Sequence, residues 1–419
     1  MSNWKIKISL FLNYFVFAIL LNSVGTVILL VQKSFDVTKS QVAVLEPFKD
    51  LSIAIVSFLV TSYITKIGYK RAMLIALGFV TVVCFIMPLT SSLVMVEFLF
   101  AAIGSSFALI KMSAFGSIGL VTKDEKEHIS FMNFLEAFFG VGIVVSYFIF
   151  PLFIDSNNDA SRAWLNVYYL LGGISLLAFI LLLLSPLDES ASKVENSKSF
   201  IAQFGKMFTL LVSPLVMIFI LCAFFYVLLE QSIMSWLPTF NNDVLKLNTV
   251  LSIQMASILA ASIALGRFLA GIVLKHLNWL AVLISCLVLA GGLVFFSMPV
   301  IQNFIDSYKG SGITQLKDVP LVGFVFPLIG LLLAPIYPAI NSVILSSLPK
   351  PKHGLMSGLI ILFSALGGSA GSLITGNVFQ NYGGKTAFYF SLLPIAILIT
   401  GLFIFNKLHN KSKQTAPGA

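Results

Sequence analysis

The chain has 419 residues, of which 58% are hydrophobic and 10% charged, with a formal net charge of +9. A soluble domain carries about 25% charged residues, so this pool cannot tile a water-facing surface. A mean hydropathy of +0.99 excludes disorder, collagen, coiled coil and an ordinary cytosolic enzyme, and the basic residues are too scattered to form a nucleic-acid face.

A spanning helix needs about 20 apolar residues. Taken in chain order, the predicted spans are 8–31, 41–65, 71–91, 95–121, 129–153, 163–186, 207–238, 248–273, 278–300, 320–346, 354–379 and 386–406. Lys5 and Lys7 precede the first of them, which is too long for a signal-peptide core and lacks a small-residue cleavage site, so it reads as a retained span. The longest polar interruption runs from Asp188 to Lys206 and is Ser-rich and mixed in charge. It divides the chain into an N-terminal six-helix bundle (1–187), a cytoplasmic linker (188–206) and a C-terminal six-helix bundle (207–419) ending in a short basic tail. The expected fold is therefore an all-α membrane protein with twelve transmembrane helices.

The loops are short enough for their lysines and arginines to set orientation. Lys5, Lys7, Lys66, Lys70, Arg71, Lys123, Lys126, Lys193, Lys198, Lys206, Arg267, Lys275, Lys350, Lys352, Lys407, Lys411 and Lys413 share the side of the N-terminus, and the opposite loops are sparser. Both termini are expected in the cytoplasm. Cys84, Cys222 and Cys286 lie inside apolar runs without paired spacing and read as packing residues. No metal-ligand spacing, no Ser/His/Asp order and no phosphate-cradling glycine loop is present, so the chain reads as no enzyme and as needing no cofactor. Transport energy would come from an ion gradient.

The halves echo each other. Tyr63-Ile-Thr-Lys66-Ile-Gly68-Tyr-Lys70-Arg71 stands between spans two and three, and Gly266-Arg267-Phe-Leu-Ala-Gly271-Ile-Val-Leu-Lys275-His276 between spans eight and nine. Gly140 and Gly142 in span five, and Gly367, Gly368 and Gly371 in span eleven, allow close helix approach. Two six-span halves of this kind describe a secondary transporter. The layout resembles the major facilitator superfamily. Three segments are similar to its fucose-permease-like sugar:proton symporter branch: Tyr226 to Phe240 (YVLLEQSIMSWLPTF), Gly266-Arg267-Phe, and Ala334-Pro335-Ile-Tyr337-Pro338-Ala-Ile-Asn341-Ser342. The superfamily's signature between spans two and three is degraded: Lys66, Gly68, Lys70 and Arg71 remain, but its acidic partner is missing. The branch's coupling acids are absent as well. The span-one position falls near Gly25, and the span-four neighbourhood holds Lys111.

Ionisable residues inside spans are costly and mark function by default. Glu46, Lys49 and Asp50 share one face of span two by their i, i+3 and i+4 spacing. Two carboxylates so close repel when both are ionised, so one can load and release a proton; the alternative is a locked Glu46/Lys49 pair near the surface. Lys111 in mid-span four must face a cavity or pair with an acid, Glu136 first and Asp50 second. It would then sense the acid's state or bind an acidic group on the substrate, or else form a static bridge. Glu46, Asp50 and Glu136 are thus the expected proton-coupling residues.

Asn22, Lys111, Tyr226, Glu230, Gln231, Tyr337, Asn341 and Ser364 are the expected substrate contacts, since amides and hydroxyls suit sugar recognition; singly, each could instead be an interhelical hydrogen bond. Trp236 reads as an interfacial anchor or a stacking surface. Lys70, Arg71 and Arg267 are expected at a cytoplasmic gate. The functional expectation is proton symport of a small polar solute across the inner membrane by a monomer. The solute would be a sugar or sugar derivative, acidic ones included, and Na+ could stand in for the proton. The alternatives are a proton-coupled efflux antiporter for amphipathic compounds and a non-transporting membrane scaffold.

Overall fold

The computed structural model describes residues 4–61, 64–90, 92–122, 125–189, 205, 207–308, 312–348 and 352–415. Of the expected linker, only Asp188, Glu189 and Gly205 are among them. The described chain is helical, with eleven helices long and apolar enough to cross a membrane. Helix is the form an open chain must take in hydrocarbon, because it satisfies every backbone polar group internally. The stretch expected as span two is helical as well, but Leu45–Thr61 has 17 residues and carries Glu46, Lys49 and Asp50, so it falls outside that set of eleven.

The chain forms two compact units, Met1–Val37 with Val44–Phe200, and Thr38–Ala43 with Ile201–Ala419. In the first unit, α1 (Trp4–Asn22) and α2 (Val24–Ser34) build the first span, interrupted at Ser23. They are followed by α3 (Lys39–Val42), which belongs to the second unit, and α4 (Leu45–Thr61). The first unit continues with α5 (Tyr69–Ile86), α6 (Leu93–Val121), α7 (Glu125–Ile149) and α8 (Val167–Leu184). Its principal packing pairs are α4 with α6, α5 with α6 and α8, and α1 with α7.

Many polar side chains of these helices are absorbed by their own backbone. Asn13 donates to the Ser9 carbonyl at 2.7 Å, Asn22 to Ala18 at 2.8 Å and Ser23 to Leu20 at 2.8 Å. Asn22 therefore spends an amide proton within α1.

The second unit holds α9 (Pro214–Met234), α10 (Leu237–Asp243), α11 (Thr249–Val273) and α12 (Trp279–Ser307). Asn248 and Asn278 cap α11 and α12 by accepting from the backbone N–H groups of the first turn. The tenth span is segmented by its prolines into Leu321–Val325, Ile329–Leu333 and α13 (Ile336–Ser346), with a 3-10 turn at Phe326–Leu328 and a break at Pro335. Next come α14 (His353–Tyr389) and α15 (Leu392–Thr415). Within α14, Gly383 adopts φ 82° and ψ 163°, a backbone state open to glycine, and this marks the end of the eleventh span.

α9 and α14 pack closely along their length. A Cβ added at Gly367 or Gly371 would lie 2.4 Å from the carbonyl oxygens of Phe224 and Leu228, respectively. Gly142 plays the same part against Phe15 and Ala18 in the first unit, whereas Gly140 faces open space. Gly371→Ala is expected to force the two backbones apart at a cost of about 1–3 kcal/mol. A thermal melt of the purified protein reads that loss, and an unchanged melting temperature would show that the contact gives without strain.

The segment Thr38–Ala43 docks on α14. Lys39 pairs with Asp243 at 2.8 Å, and its backbone N–H donates to Gln380 at 3.0 Å. Ser40 donates to Asn377 at 2.8 Å, and the Ala43 carbonyl accepts from Ser372 at 3.2 Å. Trp236 is buried beside this contact, its indole N–H on the Ser372 hydroxyl at 3.3 Å. It is neither an interfacial anchor nor an open stacking surface.

Candidate functional site

In the first unit, α4 places Glu46, Lys49 and Asp50 on one buried face. Glu46 is 0% exposed, Lys49 6% and Asp50 9%. The Lys49 ammonium donates to Glu46 and lies 3.4 Å from Asp50 Oδ1. α6 seals this face, since a Cβ at Gly104 would sit 2.2 Å from the Lys49 carbonyl oxygen. Tyr147 of α7 is buried within electrostatic range of Lys49 and Glu46. The cluster sets two carboxylates against one ammonium. Fully ionised, it would hold an uncompensated buried charge, which a single bound proton removes.

Lys111 does not meet an acid among the described residues. Lys49 already engages Asp50, and Glu136 lies exposed on α7. Lys111 is instead exposed, with its ammonium 5.8 Å from the ring centroids of Phe107 and of Phe115. The physical reason is local: both rings stand one turn away on α6, so the lysine stem runs between them. Glu136 acts electrostatically on Tyr14, whose hydroxyl is buried without a hydrogen-bond partner.

The expected gate residues resolve differently. The Lys70 ammonium donates to the carbonyls of Leu183 at 2.9 Å and Ser185 at 2.8 Å, capping the C-terminus of α8, where the helix dipole favours a cation. Its backbone N–H donates to Glu189 at 2.6 Å, so this acid, distant in sequence, sits at the N-terminus of α5. Arg71 is exposed.

In the second unit, four helices bring a polar cluster together. Tyr226 on α9 donates its hydroxyl to Glu230 Oε1 at 2.8 Å, one turn further on. Arg267 of α11, expected to bind an acid or a helix C-terminus, reaches the same oxygen at 3.9 Å with its side chain 54% exposed. The Tyr226 ring stacks on Tyr337 of α13 at 5.4 Å and 21°. The Tyr337 and Ser364 hydroxyls lie 2.8 Å apart, which adds α14. Asn341, one turn beyond Tyr337, keeps a buried carbonyl oxygen without a partner. Gln231 accepts from Ser235 within its own helix, at 3.4 Å. Tyr226, Glu230, Tyr337 and Ser364 thus form one constellation with Arg267, while Asn22 and Gln231 turn to their own helices. The arrangement offers hydroxyl and amide groups beside a carboxylate whose ionic partner stands at long range, a surface suited to hydrogen-bonding a polar solute.

Residues 10–314 match the family profile described as Major Facilitator Superfamily. No curated protein matches the chain. Among solved structures, the fold is similar to that of the nucleoside transporter NupG, with a TM-score of 0.73, 15% identity, and coverage of 97% of this chain and 99% of that one. It is also similar to a D-xylose–proton symporter, with a TM-score of 0.69, 11% identity, and coverage of 97% and 98%. The transporter FucP in its outward conformation aligns with a TM-score of 0.59 and 15% identity over 94% of this chain and 97% of that one.

Proposed function

Since the chain belongs to the Major Facilitator Superfamily, we propose that it is a proton-coupled symporter of a small polar solute, a sugar or sugar derivative, working by alternating access. The observation that carries this reading is the buried Glu46–Lys49–Asp50 cluster, in which both carboxylates lie against the same ammonium. A static scaffold gains nothing from such an imbalance inside a span, whereas a carrier that takes up and yields one proton per cycle requires it. The hydroxyl-rich cluster of Tyr226, Tyr337 and Ser364 supports a polyol-like solute. The YVLLEQSIMSWLPTF segment supports the fucose-permease-like branch. In this reading Leu45–Thr61 is the twelfth span, the distribution of lysine and arginine puts both termini in the cytoplasm at the inner membrane, and the protein acts as a monomer.

The test is solute-induced pH change in proteoliposomes containing the full chain. Addition of neutral sugars, acidic sugars and small carboxylates in turn is expected to alkalinise the outer medium with one class and not with the others. Dye extrusion under an imposed proton gradient, with no solute-driven pH change, would replace this reading with efflux antiport; neither response would leave a scaffold.

A further inference from the structure

The first unit contains a second arrangement that the proton cluster does not use. Ring contacts close a circuit. Phe107 meets Phe139 at 5.7 Å, Phe139 meets Tyr14 at 5.9 Å, Tyr14 meets Phe115 at 6.2 Å, and the Lys111 ammonium spans Phe115 and Phe107 at 5.8 Å from each centroid. Three helices, α1, α6 and α7, supply the wall. Lys111 and Glu136 are the exposed members, Phe115 and Phe139 are half-buried, and the Tyr14 hydroxyl is an orphan donor.

From this geometry we infer that the aromatic cup around Lys111 is a carboxylate subsite, and that the transported solute is a sugar acid. The inference rests on the symport reading above and narrows its substrate. A cation in the middle of a span is paid for by water or by a counter-charge. No acid supplies the counter-charge here among the described residues, and Lys111 is exposed, so water solvates it in the empty cup and a substrate anion can take that place. The flanking rings present their negative faces to the ammonium and their apolar faces to the solute. The C–H face of a sugar ring packs on such a surface while its carboxylate reaches Lys111. A ligand oxygen admitted between the rings would also satisfy the Tyr14 hydroxyl. Glu136 is exposed at the edge of the cup, within electrostatic range of Tyr14, and forms no ion pair with Lys111 among the described residues. One ammonium beside one carboxylate suits a monoanion and disfavours a dianionic phosphate.

Matched pairs test this on the purified full chain by calorimetric titration: glucuronate against glucose, galacturonate against galactose and gluconate against sorbitol, with glucose 6-phosphate as a further arm. At least one acid is expected to bind about tenfold or more tighter than its neutral partner, the advantage of a charge-assisted contact. Lys111→Gln should erase that preference, and Lys111→Arg should keep most of it. Monodispersity of each variant on size exclusion separates loss of the subsite from loss of fold. The inference is overturned if no acid outbinds its neutral partner, if the phosphate binds best, or if Lys111→Gln leaves the preference intact. The two readings fail separately. Uptake of a neutral sugar that is indifferent to Lys111→Gln removes the subsite and leaves symport standing. Lys111-dependent binding of glucuronate without any solute-driven pH change removes symport and leaves the subsite.

Discussion

Replacing Lys49 with methionine is expected to destabilise the protein by about 3–5 kcal/mol, the cost of removing one partner from a buried ionic cluster. The size of the effect follows from what would remain. Glu46 is wholly buried and Asp50 nearly so, and α6 presses on the Lys49 carbonyl at Gly104, so little water can reach the two carboxylates that the substitution strands. The ammonium also contacts both acids. Thermal melting of the purified protein in detergent measures the loss. The control that assigns it to charge is the neutral triple variant, Glu46→Gln with Lys49→Met and Asp50→Asn, which should regain most of the lost stability because no uncompensated charge is left. A triple variant as fragile as the single one would trace the loss to packing of the lysine stem instead.

The cluster on α4 was visible in the sequence because its geometry is local. Spacings of three and four residues fix a shared helical face whatever the rest of the chain does. The membrane helices were visible for a similar reason: the bilayer demands long apolar stretches, and these can be read off one by one along the chain. What depended on distance between helices was not legible. Whether Lys111 meets Glu136 depends on how α6 and α7 pack, whereas its neighbours Phe107 and Phe115, four residues to either side, follow from helical spacing alone. Arg267 is expected from the sequence to hold a cytoplasmic gate by binding an acid or a helix C-terminus, but which acid it meets, Glu230 of α9, is set by packing between helices. Glu189, in what read as a linker, supplies the acid at the start of α5 that the neighbouring loop lacks. The docking of Thr38–Ala43 into the C-terminal unit escaped for the same cause. Its sequence shows a capping box at Thr38 and Gln41, but the partners Asp243, Asn377 and Gln380 lie two hundred or more residues away.

Asp50→Asn is expected to abolish uphill transport while leaving exchange intact. The two acids of the cluster are not equivalent. Glu46 is wholly buried and bonded directly to Lys49, whereas Asp50 is the more exposed and stands 3.4 Å from the ammonium. The proton that balances the cluster therefore enters and leaves through Asp50, and Glu46 stays locked to the lysine. Asparagine at this position leaves a balanced Glu46/Lys49 pair, so this variant should fold at least as well as the parent, in contrast to Lys49→Met. It removes only the charge that couples solute movement to the gradient. A proton and a monoanionic solute cross together without net charge, so the pH gradient drives them: one pH unit supplies about 1.4 kcal/mol, an accumulation of about tenfold. In proteoliposomes carrying a pH gradient of about one unit, acid outside, Asp50→Asn should bring the internal-to-external solute ratio down to about one and remove the solute-driven pH change, while counterflow of labelled against unlabelled solute continues at a rate near that of the parent. Accumulation that survives in the variant would move the coupling site to Glu46 or Glu136. Loss of counterflow together with accumulation would show instead that Asp50 holds the solute or the helix pair, not the proton.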